Sequence, residues 1–134
     1  GCDATQDCFL VAERWIGAFR SEVWVLMQYL EGVTLERMQD FAPHRTALEE
    51  TARELLRHDL TMDDVAPGNF IVADDRIRAI DISCRPFSRL HKVSMIWKLN
   101  HAYGLGLSVT NRLDRILYAL SAIRRRNSSK QQFP

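Results

Sequence analysis

The segment 60–83, LTMDDVAPGNFIVADDRIRAIDIS, constrains the fold more than any other part of the chain. Two short runs, Phe70-Ile71-Val72 and Ile77-Arg78-Ala79-Ile80, flank a polar Asp74-Asp75 pair. Runs of this length, rich in β-branched and aromatic residues and split by turn formers, read as a β-hairpin. A hairpin puts the entry to its first strand and the exit from its second at one end. Asn69 stands at that entry, Asp81 at that exit, and Asp64 on the loop that feeds them. Three oxygen-bearing side chains then converge, and a hard divalent cation takes oxygen ligands. Taken singly, Asp64 is a solvated loop residue, Asn69 a turn former and Asp81 a strand-end cap. Taken together in this spacing, they favour a site.

Upstream, 7–14 (DCFLVAER) and 22–29 (EVWVLMQY) are apolar, β-rich runs, with Gly17 and Arg20-Ser21 as the turn between them. This predicts an antiparallel hairpin whose Trp15 and Trp24 serve packing rather than ligand contact. Met27-Gln28-Tyr29-Leu30-Glu31-Gly32 ends the run at a glycine just before a helical pattern. The plainer reading of that stretch is an ordinary strand-to-helix exit. Thr34 suits the N-cap of a short helix reaching Asp40. Pro43 opens a longer one over 44–58, where Ala47, Leu48, Thr51, Ala52, Leu55 and Leu56 form one apolar stripe. His58 suits its C-terminal end, where a cation is favoured.

After Asp81 the chain turns irregular through Ser83-Cys84-Arg85-Pro86-Phe87, and Pro86 excludes a regular strand there. A helix over 91–103 follows, with Val93, Ile96, Trp97 and Leu99 or Asn100 inward. Gly104 and Gly106 break it. Ser108 or Thr110 then caps a last helix to about Ile123, striped by Leu113, Ile116, Leu117, Leu120 and Ile123.

With 134 residues the chain is one domain, and 46% hydrophobic against 26% charged residues is an ordinary globular composition. A net charge of +1 gives no general attraction to nucleic acid. Cys2, Cys8 and Cys84 are an odd set without a C-x-x-C pair, so they read as free thiols in a reducing cytoplasm. A zinc site would need a fourth ligand and closer spacing. No secretory leader opens the chain and no apolar run reaches the roughly 18 residues of a membrane span. A cytoplasmic protein is the expectation.

D-x4-N followed after a hairpin by Ile80-Asp81 resembles the catalytic loop and metal-binding strand of the protein-kinase-like fold. The wording D-x-x-x-G-N-F-I-V and then I-D-I-S is most similar to bacterial lipopolysaccharide core heptose(II) kinases. The resemblance runs from about Asp7 to the basic tail. It implies an α+β fold: a mainly helical kinase-like C-terminal lobe over about 33–126, preceded at 7–32 by a hairpin left from the small lobe and the hinge, with a frayed tail over 127–134. It implies that Asp64 orients the acceptor hydroxyl and takes its proton, that Asn69 and Asp81 hold Mg2+, and that ATP is the phosphoryl donor. The hinge would hold adenine through the Gln28 carbonyl and the Leu30 amide, with Met27 behind the base. The implied acceptor is a heptose of the lipid-linked core. Readings outside that activity are a non-catalytic pseudokinase or remnant module, and a kinase for another sugar or an aminoglycoside.

Departures from the pattern are plain. Met62-Asp63 stands where kinases carry His-Arg or His-Gly, so Asp63 and Asp64 are expected to titrate as a pair. Ala66 occupies the position of a γ-phosphate lysine. No Gly-rich loop, strand lysine or helix glutamate precedes Asp7, which predicts a truncated form with little turnover of its own. Its hairpin is then expected to leave an apolar face that aggregates, dimerises or needs a partner. Arg112, Arg115, Arg124, Arg125, Arg126 and Lys130 stand against Asp114 alone in the C-terminal stretch. That pattern reads either as a solvated helix end or as peripheral docking to the anionic inner leaflet through Arg124, Arg125 and Arg126.

Overall fold

The computed structural model describes residues 2–73, 76–83 and 88–130, with the side chains of 124–130 outside the description. The expected turn at Asp74-Asp75, the irregular stretch Cys84 to Phe87 and the side chains of Arg124, Arg125 and Arg126 fall outside it. What is described is a mixed α and β fold, an N-terminal hairpin followed by a small sheet and helices.

Strands β1 (Cys8–Ile16) and β2 (Phe19–Met27) pair antiparallel from Cys8 opposite Met27 to Ile16 opposite Phe19. The turn is tighter than expected: Gly17 has φ 60° and closes it, while Arg20 and Ser21 already lie in β2. All residues of this hairpin except Ala12 are exposed. Trp15 and Trp24, expected to pack in a core, are 55% and 53% exposed. A two-stranded ribbon has no second layer to bury them, so their apolar surface faces outward. The expected apolar face is present, with Phe9, Val11, Ile16 and Phe19 all more than half exposed.

A second sheet has the order β3 (Val33–Thr34), β4 (Phe70–Ala73), β5 (Arg76–Ala79), antiparallel throughout. The β4–β5 pair is the hairpin expected from the sequence. Strand β3 was not expected; it replaces the start of the helix assigned to Thr34. Thr34 makes no side-chain cap, and only a 3-10 turn, Leu35–Arg37, follows. Gly32 makes β3 possible: a Cβ there would lie 2.3 Å from the Val72 carbonyl oxygen. A side chain cannot fit into that backbone approach. On the other edge, Ala79 N–H donates to Ala4 O at 2.7 Å, adding a one-residue bridge.

Helix α1 (Arg45–Arg57) buries Leu48, Thr51, Ala52 and Leu55, the stripe read from its periodicity, and ends at His58. It packs under β5, where the Thr51 hydroxyl lies 2.6 Å from Ile77 O. Helix α2 (Arg89–Tyr103) begins on Ser88, whose Oγ accepts from His91 N–H at 3.2 Å, and ends on Gly104 at φ 64°. It buries Val93, Met95, Ile96 and Leu99; Trp97 is only partly buried. Asn100 fixes the next turn, donating to Leu107 O at 2.9 Å and accepting from Leu107 N–H at 3.0 Å.

Helix α3 (Arg112–Lys130) is capped by Asn111, whose Oδ1 accepts from Leu113 N–H at 2.9 Å, and not by Ser108 or Thr110. It also continues past Ile123 to Lys130. The core joins Leu48 and Leu55 of α1, Phe70 of β4, Ile77 of β5 and Met95 and Leu99 of α2. Each such side chain contributes about 1.5–3 kcal/mol by leaving water.

Candidate active site

The loop between α1 and β4 is pinned from beneath. Thr61, Met62, Val65 and Phe70 are buried, and Met62 N–H points at Met95 Sδ, 3.2 Å away. Asp63 and Asp64, between these anchors, are exposed. Apolar neighbours hold the loop down while the carboxylates stay in solvent.

Asp64 Oδ1 accepts from Ala66 N–H at 3.0 Å, an Asx turn that fixes its carboxylate. Asn69 ends the 3-10 turn Pro67–Asn69, and its Nδ2 donates to Asp64 O at 3.3 Å. Ile80 N–H donates to Asn69 O at 2.9 Å, so Asp81 follows directly from the residue paired with Asn69. Ser83 N–H donates to Thr61 O at 2.8 Å. Two backbone bonds therefore staple the loop to the strand exit, one on each side of Asp64 and Asp81. The structure brings the three expected residues to one end of the hairpin.

Asp81 has φ 60°, one of two non-glycine residues in the left-handed region among those described; the other is Asp59 at 55°. That conformation costs on the order of 1–2 kcal/mol for an L-residue, less for Asp. It turns the chain sharply out of β5. Such outliers persist where the surroundings over-determine them, and they gather at functional sites.

Asp63 and Asp64 have different partners: Asp63 Oδ2 accepts from Ser83 Oγ at 3.4 Å. Lys98 Nζ donates to Asp63 O, tying α2 to the loop. Tyr103 Oη donates to Val65 O at 2.5 Å. Burial, and then the charge of Asp64, push the Tyr103 phenol up to about 12. Beside Asp64 an open hollow of about 310 Å³ is lined by Val65, Trp97, Lys98 and His101. Trp97 and His101 stack with ring centres 4.9 Å apart. These α2 residues were not expected at the candidate site. Their only sequence signal was helical spacing, and contact with the loop comes from the tertiary fold.

At the expected hinge, Met27 is the last residue of β2, and Gln28 to Leu30 lie outside regular structure. Gln28 N–H donates to Asp7 O at 2.7 Å, while its Oε1 lies 3.4 Å from both Asp7 N and Arg78 Nη1. Gln28 thus links the base of the first hairpin to β5.

Elsewhere, Cys2, Glu54 and His58 place ligand atoms within 4.8 Å of one another. Burial raises the Cys2 thiol, and the charge of Glu54 adds to that. Their separation in the sequence concealed the grouping.

A family model described as "Lipopolysaccharide core biosynthesis protein (WaaY)" matches residues 1–127. The chain belongs to the WaaY family. Two curated relatives, both named lipopolysaccharide core heptose(II) kinase WaaY, come from Escherichia coli. The K12 relative is 26% identical over 106 residues, 78% of this chain and 46% of its own length. The other is 36% identical over 85 residues, 62% of this chain and 36% of its own. The chain therefore spans less than half the length of these WaaY relatives. No solved structure matches it. Family membership bears out the resemblance to the lipopolysaccharide core heptose(II) kinases read from D-x-x-x-G-N-F-I-V and I-D-I-S.

Proposed function

We propose that the chain carries the catalytic loop and metal strand of a kinase-like heptose kinase. Its reaction is transfer of the ATP γ-phosphoryl group to a hydroxyl of a lipopolysaccharide core heptose. The observation that carries this reading is the pair of backbone bonds, Asn69–Ile80 and Thr61–Ser83, that hold Asp64, Asn69 and Asp81 at one end of the hairpin. The names of the WaaY relatives supply the substrate class.

Asp64 orients the acceptor hydroxyl and takes its proton as the acceptor oxygen bonds to the γ-phosphorus. The bond to the β–γ bridging oxygen breaks, and ADP leaves with that electron pair. Two aspartate or amide oxygens from Asn69 and Asp81 suit Mg2+, a hard cation that neutralises phosphate charge when bound. Gln28 O and Leu30 N–H take the adenine edge, with Met27 behind it. The hollow lined by Trp97, Lys98 and His101 lies next to Asp64, where an acceptor must sit; stacked rings suit the apolar face of a sugar.

The test is titration of the protein with a non-hydrolysable ATP analogue, with and without Mg2+, alongside transfer of radiolabelled phosphate to a heptose-bearing core oligosaccharide. Weak Mg2+-dependent binding with little transfer is expected of this chain, and full transfer of a form that also carries a Gly-rich phosphate loop and its lysine. In that form, binding without transfer to any core acceptor would overturn the heptose assignment. No Mg2+-dependent binding even there would overturn the kinase reading and leave a non-catalytic module.

A further inference from the structure

Helix α3 has an apolar stripe that nothing in the described fold covers. Leu113, Ile116, Leu120 and Ile123 are 58%, 57%, 54% and 57% exposed. Spacings of three, four and three residues put them on one face. The stripe read from the sequence spacing is present, and most of it lies open to solvent. The side of α3 that meets the body carries Tyr118, whose Oη lies 3.3 Å from Asn100 Nδ2. Tyr118 packs against the core, and Leu117 and Ser121 beside it are partly buried. The helix is thus held by one face and offers the other outward.

Its charge selects the occupant. Residues 112–130 carry five arginines and one lysine against a single aspartate, Asp114. Arg112 and Arg115 are exposed within the first turn. The sequence continues beyond Ile123 with Arg124, Arg125, Arg126 and Lys130. A second copy seated on this face would bring two strongly basic helices together and be repelled. An anionic bilayer surface meets both demands: acyl chains take the apolar stripe, and lipid phosphates and carboxylates take the cations. Among the described residues no helix is long and apolar enough to cross a membrane, so this contact lies in the plane of the surface.

We propose that α3 is an in-plane anchor that seats Leu113, Ile116, Leu120 and Ile123 in the headgroup region of an anionic membrane. The inference does not rest on the kinase reading, because vesicle binding is measured without nucleotide or acceptor. The experiment is vesicle flotation of the protein with phosphatidylcholine alone and with phosphatidylcholine containing phosphatidylglycerol. Binding to the anionic vesicles, weakened at high salt, is expected. The exposed pair Ile116→Ser and Leu120→Ser, made together, should lower partitioning at least tenfold while leaving the circular dichroism spectrum and melting unchanged. A separate Leu120→Trp variant should blue-shift its added emission on anionic vesicles only. Absence of binding, equal binding to neutral vesicles, or binding unaffected by the double substitution would overturn the proposal. So would a lipid-free dimer that the double substitution dissolves, since the stripe would then be a self-association face.

Discussion

Tyr103, the last residue of α2, donates its phenol proton to the backbone carbonyl of Val65 at 2.5 Å, one residue from Asp64. The same ring meets Phe70 edge-on at 6.0 Å and Phe41 at 5.2 Å. One side chain therefore fixes the distance from the helix end to the loop and to the first residue of β4. Tyr103→Phe keeps the ring contacts and leaves the Val65 carbonyl without this donor. A loss of about 1 kcal/mol in urea unfolding at neutral pH is expected.

The same residue sets an alkaline limb. With its folded value raised to about 12, from an ordinary value of 10, Tyr103 stays protonated in the fold after the unfolded chain has ionised. The stabilisation is complete below pH 10 and falls as pH rises towards 12. On a partly exposed group solvent screening leaves it on the order of 1 kcal/mol. Between these pH values wild type should lose more stability than Tyr103→Phe. Parallel curves from unfolding series at several pH values would refute the assignment.

Gly32 tests whether strand β3 is needed where the expected hinge meets the sheet. In Gly32→Ala the new methyl meets the Val72 carbonyl at 2.3 Å and Ile71 Cγ2 at 2.7 Å. Backbone must move, so β3 should separate from β4 at a cost of about 2 kcal/mol. Hydrogen exchange should speed up at Val33 and Thr34 while α1 amides stay protected. An unchanged exchange pattern would show that the approach is not tight in solution.

How much of this could be read in the sequence divides along one physical line. Helix α1 and the β4–β5 hairpin were legible because their signals are local: a 3.6-residue stripe through Leu48, Ala52 and Leu55, and two β-rich runs around a turn. The same hairpin carried the candidate site, since Asn69 and Asp81 need only its pairing to meet. Strand β3 was not legible. Two residues, Val33 and Thr34, have no period, and their pairing depends on Gly32 passing against a strand almost forty residues later. The two tryptophans failed differently: a β-rich run tells which residues are apolar but not what covers them. Trp97, Lys98 and His101 were invisible as neighbours of Asp64 because only the packing of α2 brings them beside it.

Asp81 separates backbone strain from chemistry. Its φ of 60° suits glycine and opposes a β-branched side chain. Asp81→Gly should change stability by less than about 1 kcal/mol, and Asp81→Val should cost about 2 kcal/mol. Both lose the carboxylate, so both should lose Mg2+-dependent nucleotide binding. Retained binding in the well-folded Gly variant would remove Asp81 from the metal site. Asp59→Gly, at the other left-handed aspartate, is the control that should keep it.

Asp64→Asn asks whether the loop carboxylate acts as a base. The amide oxygen can still accept from Ala66 N–H, so the Asx turn at 3.0 Å and the loop around it should persist. What is lost is the capacity to take a proton. In a form that also carries a Gly-rich phosphate loop and its lysine, nucleotide should therefore bind with Mg2+ as without the substitution, while transfer to the heptose acceptor falls about 10²–10⁴-fold, the usual contribution of a general base. That corresponds to about 3–5 kcal/mol of barrier. Binding is followed by titration calorimetry and transfer by single-turnover radiolabel, so a slow product step cannot mask the chemical one. A variant that binds and transfers like wild type would take Asp64 out of the proton path. Asp63→Asn is the companion measurement: its carboxylate faces Ser83 Oγ at 3.4 Å and should matter less for transfer. If Asp63→Asn instead abolished transfer while Asp64→Asn did not, the base would be the first carboxylate of the pair.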